Sequence, residues 1–332
     1  MIMKKIMNSP STIVDDMIGG MVLAHPSLRI LNGTNVIVRK DVPVKGKVGV
    51  FSGGGSGHEP AHCGYVGEGM LDGACAGDVF TSPSVDQMME GIRAVNSGNG
   101  VLIIAKNYTG DNLNFDMAAE LLATEGIRVA KVVVKDDVAV EESENTTGRR
   151  GVAGTVLVHK VVGAKAATGA TLDEVRETAQ KAIDNVRTFG VAISPCTNPL
   201  VGKPGFELSD DEMELGTGIH GEKGIERIPC LDAHKLAVLM TEKILNDHPV
   251  NSGESVAVMI NGCGATPLME LYVLYQEVYK VLYKKGIKIA HTFVGEYMTS
   301  LEMGGASISI MKLDNELKDL ILAPANTPAL KQ

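Results

Sequence analysis

The chain has 332 residues, 44% of them hydrophobic and 21% charged, with a formal net charge of -9 and a pI near 5.4. That length suits two domains of roughly 150 residues each, the composition argues against a disordered chain, and the acidity argues against a nucleic-acid partner, which needs a basic stripe to displace counterions. Cys63, Cys75, Cys196, Cys230 and Cys263 are odd in number and form no CxxC pair, so neither a disulfide framework nor a zinc site is expected, and a reducing cytoplasm is.

At the N-terminus Lys4 and Lys5 precede an apolar stretch cut by Ser9-Pro10-Ser11 and by Asp15-Asp16, so no signal-peptide core forms, and no later run approaches a membrane span. Ser9-Pro10-Ser11-Thr12 starts a helix in which Ile13, Met17, Met21 and Leu23 recur at roughly helical spacing up to His25-Pro26. Residues 35–39 and 47–51 read as strands. After the second comes Ser52-Gly53-Gly54-Gly55-Ser56-Gly57-His58-Glu59-Pro60-Ala61-His62, read as a strand-to-helix turn whose Pro-led end has the makings of a helix start. Residues 64–81 are glycine-rich, with too few apolar repeats for a helix, and read as loops around a site.

Val101-Leu102-Ile103-Ile104-Ala105 has the continuous apolar texture of a strand buried on both faces of a parallel sheet. It empties into the polar segment Lys106-Asn107-Tyr108-Thr109-Gly110-Asp111, followed by a helix from about 114 to 124, a strand over 128–134 and an amphipathic helix over 171–188. Beyond Gly190 a short strand, 191–193, gives way to a stretch with Pro195, Pro199, Pro204 and the acidic residues Asp210, Asp211, Glu212 and Glu214. A helix near 232–246, a strand over 255–260, a helix over 267–284 and strands over 287–292 and 306–313 follow. The strand, loop, helix, strand order predicts an α/β fold of two α/β domains: 1–187, a doubly wound, mostly parallel sheet, and 188–332, a smaller α/β sandwich.

Glycine-rich turns at the carboxyl ends of parallel strands are where such sheets bind ligands, because backbone N–H groups can close on something small and rich in oxygen. Three polar segments stand out: Gly53–His58, Lys106–Asp111 and Gly216-Thr217-Gly218-Ile219-His220-Gly221-Glu222. Asp111 also suits the N-cap of the helix that follows it. His62 and Cys63 read as scaffold, and the methionines as core filler. Arg149-Arg150 fits either a surface pair holding its loop or a contact for a partner's phosphates. No GxxxxGK[ST] loop is present, and in Gly202-Lys203-Pro204 proline stands where such a loop offers magnesium a hydroxyl.

In this order the three segments resemble the substrate-binding K subunit of dihydroxyacetone kinases. The resemblance extends to Phe80-Thr81-Ser82-Pro83, Thr147-Gly148-Arg149-Arg150-Gly151-Val152-Ala153, Gly202-Lys203-Pro204, Gly264-Ala265-Thr266-Pro267-Leu268 and the tail 326–330. It implies that His220 captures dihydroxyacetone as a hemiaminal, that Asp111 accepts the proton of the attacking hydroxyl, that His58 hydrogen-bonds that hydroxyl, and that Gly55 and Lys106 complete the pocket. Covalent capture suits a small ketose, since an imidazole can add to a ketone but finds no electrophilic carbon in a polyol.

The resemblance further implies a homodimer with no cofactor of its own. ADP or ATP with magnesium is expected on a separate L subunit, recharged by the phosphoenolpyruvate phosphotransferase system through an M subunit. Single-chain relatives in that family carry a nucleotide-binding helical domain after this region, whereas this sequence ends at Gln332, so a stand-alone subunit is expected. The other readings are a ketone-sensing transcriptional co-activator and a kinase for another short ketose such as a tetrulose. Ser143-Glu144-Asn145-Thr146 and Asn261-Gly262-Cys263 depart from the family pattern, which bears on partner contacts and substrate fit rather than on the chemistry.

Overall fold

The apolar runs pair into two six-stranded sheets, one following the other along the chain. A computed structural model describes residues 4–140 and 148–332, so Ser143, Glu144, Asn145, Thr146 and Thr147 lie outside the described residues. The first sheet holds β1 (Leu28–Ile30), β2 (Val36–Arg39), β3 (Gly49–Ser56), β4 (Gly73–Val79), β5 (Val101–Lys106) and β6 (Val129–Val134), in the order β1-β2-β4-β3-β5-β6. Strands β4, β3, β5 and β6 run parallel, and β1 and β2 add an antiparallel edge. The second sheet holds β7 (Val186–Ser194), β8 (Glu212–Leu215), β9 (Glu226–Pro229), β10 (Ser255–Gly262), β11 (Lys288–Gly295) and β12 (Gly304–Leu313), ordered β11-β10-β12-β7-β8-β9. There β10 and β11 are parallel and the other neighbours antiparallel.

Alternation along the strands sorts the helices into layers, because successive side chains point to opposite faces. Val50, Leu102 and Ile104 of the first sheet share one hydrophobic cluster with Ala257, Met259 and Met311 of the second. Filling the space between the sheets are α4 (Thr155–Ala167), α5 (Leu172–Asn185) and α8 (Asn315–Leu322). Also packed on that cluster is α1 (Ile13–Ala24), through Val14 and Ile18. On the outer face of the first sheet, Phe51 and Ile103 meet α2 (Val85–Val95) and α3 (Thr109–Thr124). On the outer face of the second, Val258 and Ile308 meet α6 (Ala233–Asp247) and α7 (Leu268–Lys284). Among the described residues no helix is long and apolar enough to cross a membrane.

Several local expectations are corrected by packing. The glycine run is the end of a strand, since β3 continues through Ser56, and its glycines are there for close approach. A Cβ on Gly53 would collide with the Cys75 thiol, and one on Gly55 would sit 2.6 Å from the Thr81 nitrogen. No α-helix follows Pro60, only a short 3-10 turn over Cys63–Tyr65. The stretch read as loops over 64–81 contains β4, whose Gly-Ala-Cys-Ala-Gly sequence lacks the β-branched residues that mark strands.

Helix α3 begins at Thr109 rather than near 114, which carries Asp111 into its first turn, with Tyr108 at the N-cap position that Asp111 had suited. Helix α4 escaped notice because it is buried nearly all round, including His159 and Lys160, so it has no amphipathic period. The buried Lys160 ammonium is satisfied by the carbonyls of Leu320 and Ala323 at the end of α8, where a cation suits the unpaired C=O groups.

Packing of α4 yields a stability prediction. A Cβ on Gly163 would lie 2.5 Å from the carbonyl oxygens of Gly69 and Met70. Gly163→Ala is therefore expected to lower stability by about 1–3 kcal/mol through overpacking, despite alanine's better helix propensity of roughly 1 kcal/mol. A chemical-denaturation midpoint equal to wild type would show that this contact can open without cost.

Candidate active site

Parallel strands β3 and β5 are neighbours, so their carboxyl ends open on the same edge of the sheet. His58 follows β3, Lys106 ends β5, and Asp111 lies one turn into α3. His220 comes from the other sheet, on the connection between β8 and β9. His58, Lys106, Asp111 and His220 therefore converge on one region although they are scattered along the chain, and Gly55 lies in β3 against Phe80 and Thr81.

His58 is fully buried, and the turn before β12 fastens it in place. Thr299 N–H donates to the His58 carbonyl (3.2 Å), Leu301 N–H to the Gly57 carbonyl (2.7 Å) and the Thr299 hydroxyl to the Glu59 carbonyl (2.9 Å). The ring itself meets the Thr299 carbonyl through Nδ1 at 2.9 Å. A carbonyl can only accept, so Nδ1 carries the hydrogen and Nε2 presents a lone pair. That Nε2 is buried, with no hydrogen-bond partner among the described residues, and is the acceptor this ring can offer a substrate hydroxyl. Behind the turn, Asn261 donates to the Met298 carbonyl and the Ser307 hydroxyl and accepts from the Tyr297 and Met298 N–H groups. Asn261 thus belongs to the support of His58.

The His220 ring stands edge-on to three others: His58 (centroids 4.7 Å apart), Tyr108 (4.5 Å) and Phe80 (5.4 Å). Phe80 also stacks on His58 at 5.2 Å, held there by a left-handed backbone with φ of 59°. Burial, reinforced by the positive charges of Lys106 and Arg150, pushes His220 down to about 3. Burial, Lys106 and His220 likewise hold His58 well below the ordinary histidine range. Both imidazoles are neutral at physiological pH, the form in which the ring nitrogen is a nucleophile or a base.

Lys106 Nζ is buried 5.4 Å from the centre of the Tyr108 ring, with no hydrogen-bond partner among the described residues. Burial lowers its pKa, and the nearby carboxylates of Asp111, Glu59 and Glu222 pull it back up. Asp111 accepts from the Ser82 hydroxyl through Oδ1. Burial raises its pKa against the pull of Lys106 and Ser82, which makes it a somewhat stronger base than a surface carboxylate. Glycine leaves room beside the two, since a Cβ on Gly54 would press on Lys106 Nζ at 3.1 Å and touch Asp111 Oδ2 at 3.4 Å.

Behind the pocket, His62 Nδ1 and His159 Nε2 lie 2.9 Å apart in the core, and burial raises the Cys63 thiol to about 12, so this group is inert packing. The two arginines have separate tasks. Arg149 joins Arg187 on Asp247, whereas Arg150 reaches toward the His220 connection. Phe80, Ser82, Tyr108 and Thr299 are the site residues that sequence reasoning missed, while Arg150, read with Arg149 as a surface pair holding its loop or a contact for a partner's phosphates, is largely buried against the His220 connection. The first three lay inside conspicuous segments, but nothing local marks Thr299. Among the described residues no group of three or more His, Cys, Asp and Glu side chains is placed to hold a metal ion.

Comparison with known proteins gives a consistent result. The Dak1 domain family model matches residues 19–329. A Listeria innocua protein named PTS-dependent dihydroxyacetone kinase 1, dihydroxyacetone-binding subunit DhaK, is 53% identical over 98% of this chain and all of its own length. Among solved structures, a dihydroxyacetone kinase operon co-activator aligns with a TM-score of 0.89 at 35% identity, covering 95% of this chain and 97% of that one. The dihydroxyacetone kinase of C. freundii aligns with the same TM-score and identity, covering 99% of this chain and 60% of that one.

The burial of His220 can be checked directly. With nitrogen-15-labelled histidine, its ring resonances are expected to stay those of a neutral imidazole from pH 8 down to about 5, because the ring charges only as pH falls through about 3. A titration midpoint near the ordinary value of about 6.5 would contradict the desolvated setting.

Proposed function

Because the chain belongs to the Dak1 domain family, we propose that it is the dihydroxyacetone-binding subunit of a phosphotransferase-system-dependent dihydroxyacetone kinase. The observation that carries this reading is the meeting of a neutral His220, a bare His58 Nε2, a buried Asp111 and a buried Lys106 at one end of β3 and β5.

In the proposed reaction a ring nitrogen of neutral His220 forms a bond to the ketone carbon. The C=O π pair moves to oxygen, which takes up a proton as the other ring nitrogen gives one up, leaving a hemiaminal. One terminal hydroxyl then lies toward His58 and Asp111. Its oxygen attacks the terminal phosphorus of a nucleotide brought by the L subunit, the P–O bond to ADP breaks, and the hydroxyl proton passes to Asp111. Lys106, with its ammonium uncommitted to any one carboxylate, is suited to a substrate oxygen. Phosphoryl transfer demands little beyond such alignment and charge stabilisation. The donor side, ADP/ATP with magnesium on the L subunit recharged through an M subunit in the cytoplasm, is part of the proposal. So is a homodimer, supported by the exposed row Met269, Tyr272, Tyr279 and Tyr283 along α7, an apolar face of the kind that marks interfaces.

Four experiments test this reading. Dihydroxyacetone phosphate is expected only when an L subunit and its phosphoryl donor accompany the chain, and not with ATP alone. Ketone binding with no product in either mixture would instead align the chain with the co-activator. His220→Ala is expected to abolish the covalent adduct and leave the fold intact, so an adduct persisting in that variant would move the nucleophile elsewhere. Asp111→Asn is expected to keep the adduct and lose roughly 10²- to 10⁴-fold in turnover; undiminished turnover would reassign the base. Sedimentation velocity at micromolar concentration is expected to show a dimer, and a monomer across that range would remove the α7 face from the proposal.

A further inference from the structure

The connection that carries His220 has little secondary structure of its own. It leaves β8 through Gly216 at φ of 67°, turns again at Gly221 at φ of 75°, and rejoins the sheet at β9. A backbone of this kind keeps one shape only when something outside it holds it. That support comes from Arg150, on the segment between β6 and α4.

Its guanidinium makes contacts in three directions. Nε donates to Asp137 Oδ2 at 2.8 Å, anchoring the side chain to the first half of the chain. Nη2 donates to the Gly216 carbonyl at 2.7 Å, where the His220 connection begins. Nη1 donates to Glu222 Oε1 at 3.2 Å, two residues beyond His220. The other oxygen of Glu222 accepts the backbone N–H of His220 itself. Gly218 lies against this junction, where an added Cβ would collide with the Glu222 carboxylate and come 2.7 Å from Arg150 Nη1. Asp137 is fixed in turn by the Ala139 N–H at 2.9 Å and is 2% exposed, so the anchor is rigid.

We infer that Arg150 is a positioning residue for ketone capture: its fork clamps both ends of the 216–222 connection and, through Glu222, sets the place of the His220 imidazole against His58 and Tyr108. The inference rests on the reading of His220 as the residue that captures the ketone. The planar fork is what the task requires, because a lysine has one ammonium and cannot hold Asp137, Gly216 and Glu222 in fixed directions at once. Arg150 touches neither ketone nor phosphate in this role. It acts by removing freedom from the nucleophile, and a nucleophile displaced by about 1 Å can lose up to roughly 100-fold.

The test uses the full chain with two readouts: dihydroxyacetone carrying carbon-13 at its ketone carbon, whose signal moves to the tetrahedral range on capture, and the ring signals of nitrogen-15-labelled histidines. Arg150→Ala is expected to weaken capture about 10- to 100-fold and to shift or broaden the His220 ring signals, while those of the remote His25 and His234 stay put. Arg150→Lys is expected to fall between the alanine variant and wild type. Wild-type capture and unchanged His220 signals in Arg150→Ala, or full recovery in Arg150→Lys, would overturn the clamp. Should Arg150→Ala fail to fold, Glu222→Gln takes its place. That side chain keeps its volume, but its NH2 takes the place of one of the two acceptor oxygens, so a donor faces either Arg150 or the His220 N–H; the same two changes are expected, and wild-type behaviour would overturn the proposal. If wild type itself shows no tetrahedral carbon while Arg150→Ala still perturbs His220, covalent capture is wrong and the clamp stands.

Discussion

The electrostatics of the site follow from burial, which encloses one ammonium among imidazoles and carboxylates. Taking the charge of Lys106 out of water costs several kcal/mol even after relaxation, and the protein offers it nearby carboxylates rather than a committed partner. Asp111, Glu59 and Glu222 draw its pKa up, and its field presses down on His58, His62, His159 and His220. Burial is the main force that keeps these imidazoles neutral, and the Lys106 charge reinforces it while opposing the rise that burial gives the Asp111 carboxyl. That is the protonation pattern in which an imidazole can add to a carbonyl while a neighbouring carboxylate waits for a proton.

Space for that ammonium comes from glycine. Gly53 and Gly55 let β3 pass closer to Cys75 and Thr81 than a Cβ allows, and Gly54 leaves room for Lys106, so the run narrows the site rather than loosening a turn. The walls come from elsewhere. The turn carrying Thr299 fixes the tautomer of His58 from the second sheet, and Asn261 holds that turn with three hydrogen bonds and ties itself to Ser307 of β12 with a fourth. Each such bond is worth only about 0.5–1.5 kcal/mol net, but leaving one of these buried groups unpaired would cost more, which makes the arrangement specific. The shared core between the sheets, with α4 and α5 packed inside it, holds the two sources of the site together.

Kinase subunit and co-activator share this architecture, since structures bearing both names superpose on the chain equally well. Fold alone therefore cannot choose between them. The buried carboxylate of Asp111, hydrogen-bonded by Ser82 and raised by burial, suits the base that the proposed phosphoryl transfer needs and a mere ligand sensor does not.

The sequence by itself determined whatever rests on near neighbours. Val101–Ala105 is β-branched and apolar enough to be a buried strand in any context, and Thr171 with Glu174 forms the capping box that starts α5. His58, Lys106, Asp111 and His220 stood out because their flanking residues form recognisable segments, and the structure brings all four side chains into one another's neighbourhood. Only the tertiary structure decided that the glycine run is a strand, that 73–79 pairs beside it, and that α4 is a helix, because burial on every side removes the polar–apolar period from which such elements are read. The same holds for which hydrogen His58 carries and for the partners of Arg150. Thr299 lies 241 residues from His58, and Glu222 lies 72 residues from Arg150. Contacts of that span are set by how the two sheets pack on one core, which no local pattern in the chain records.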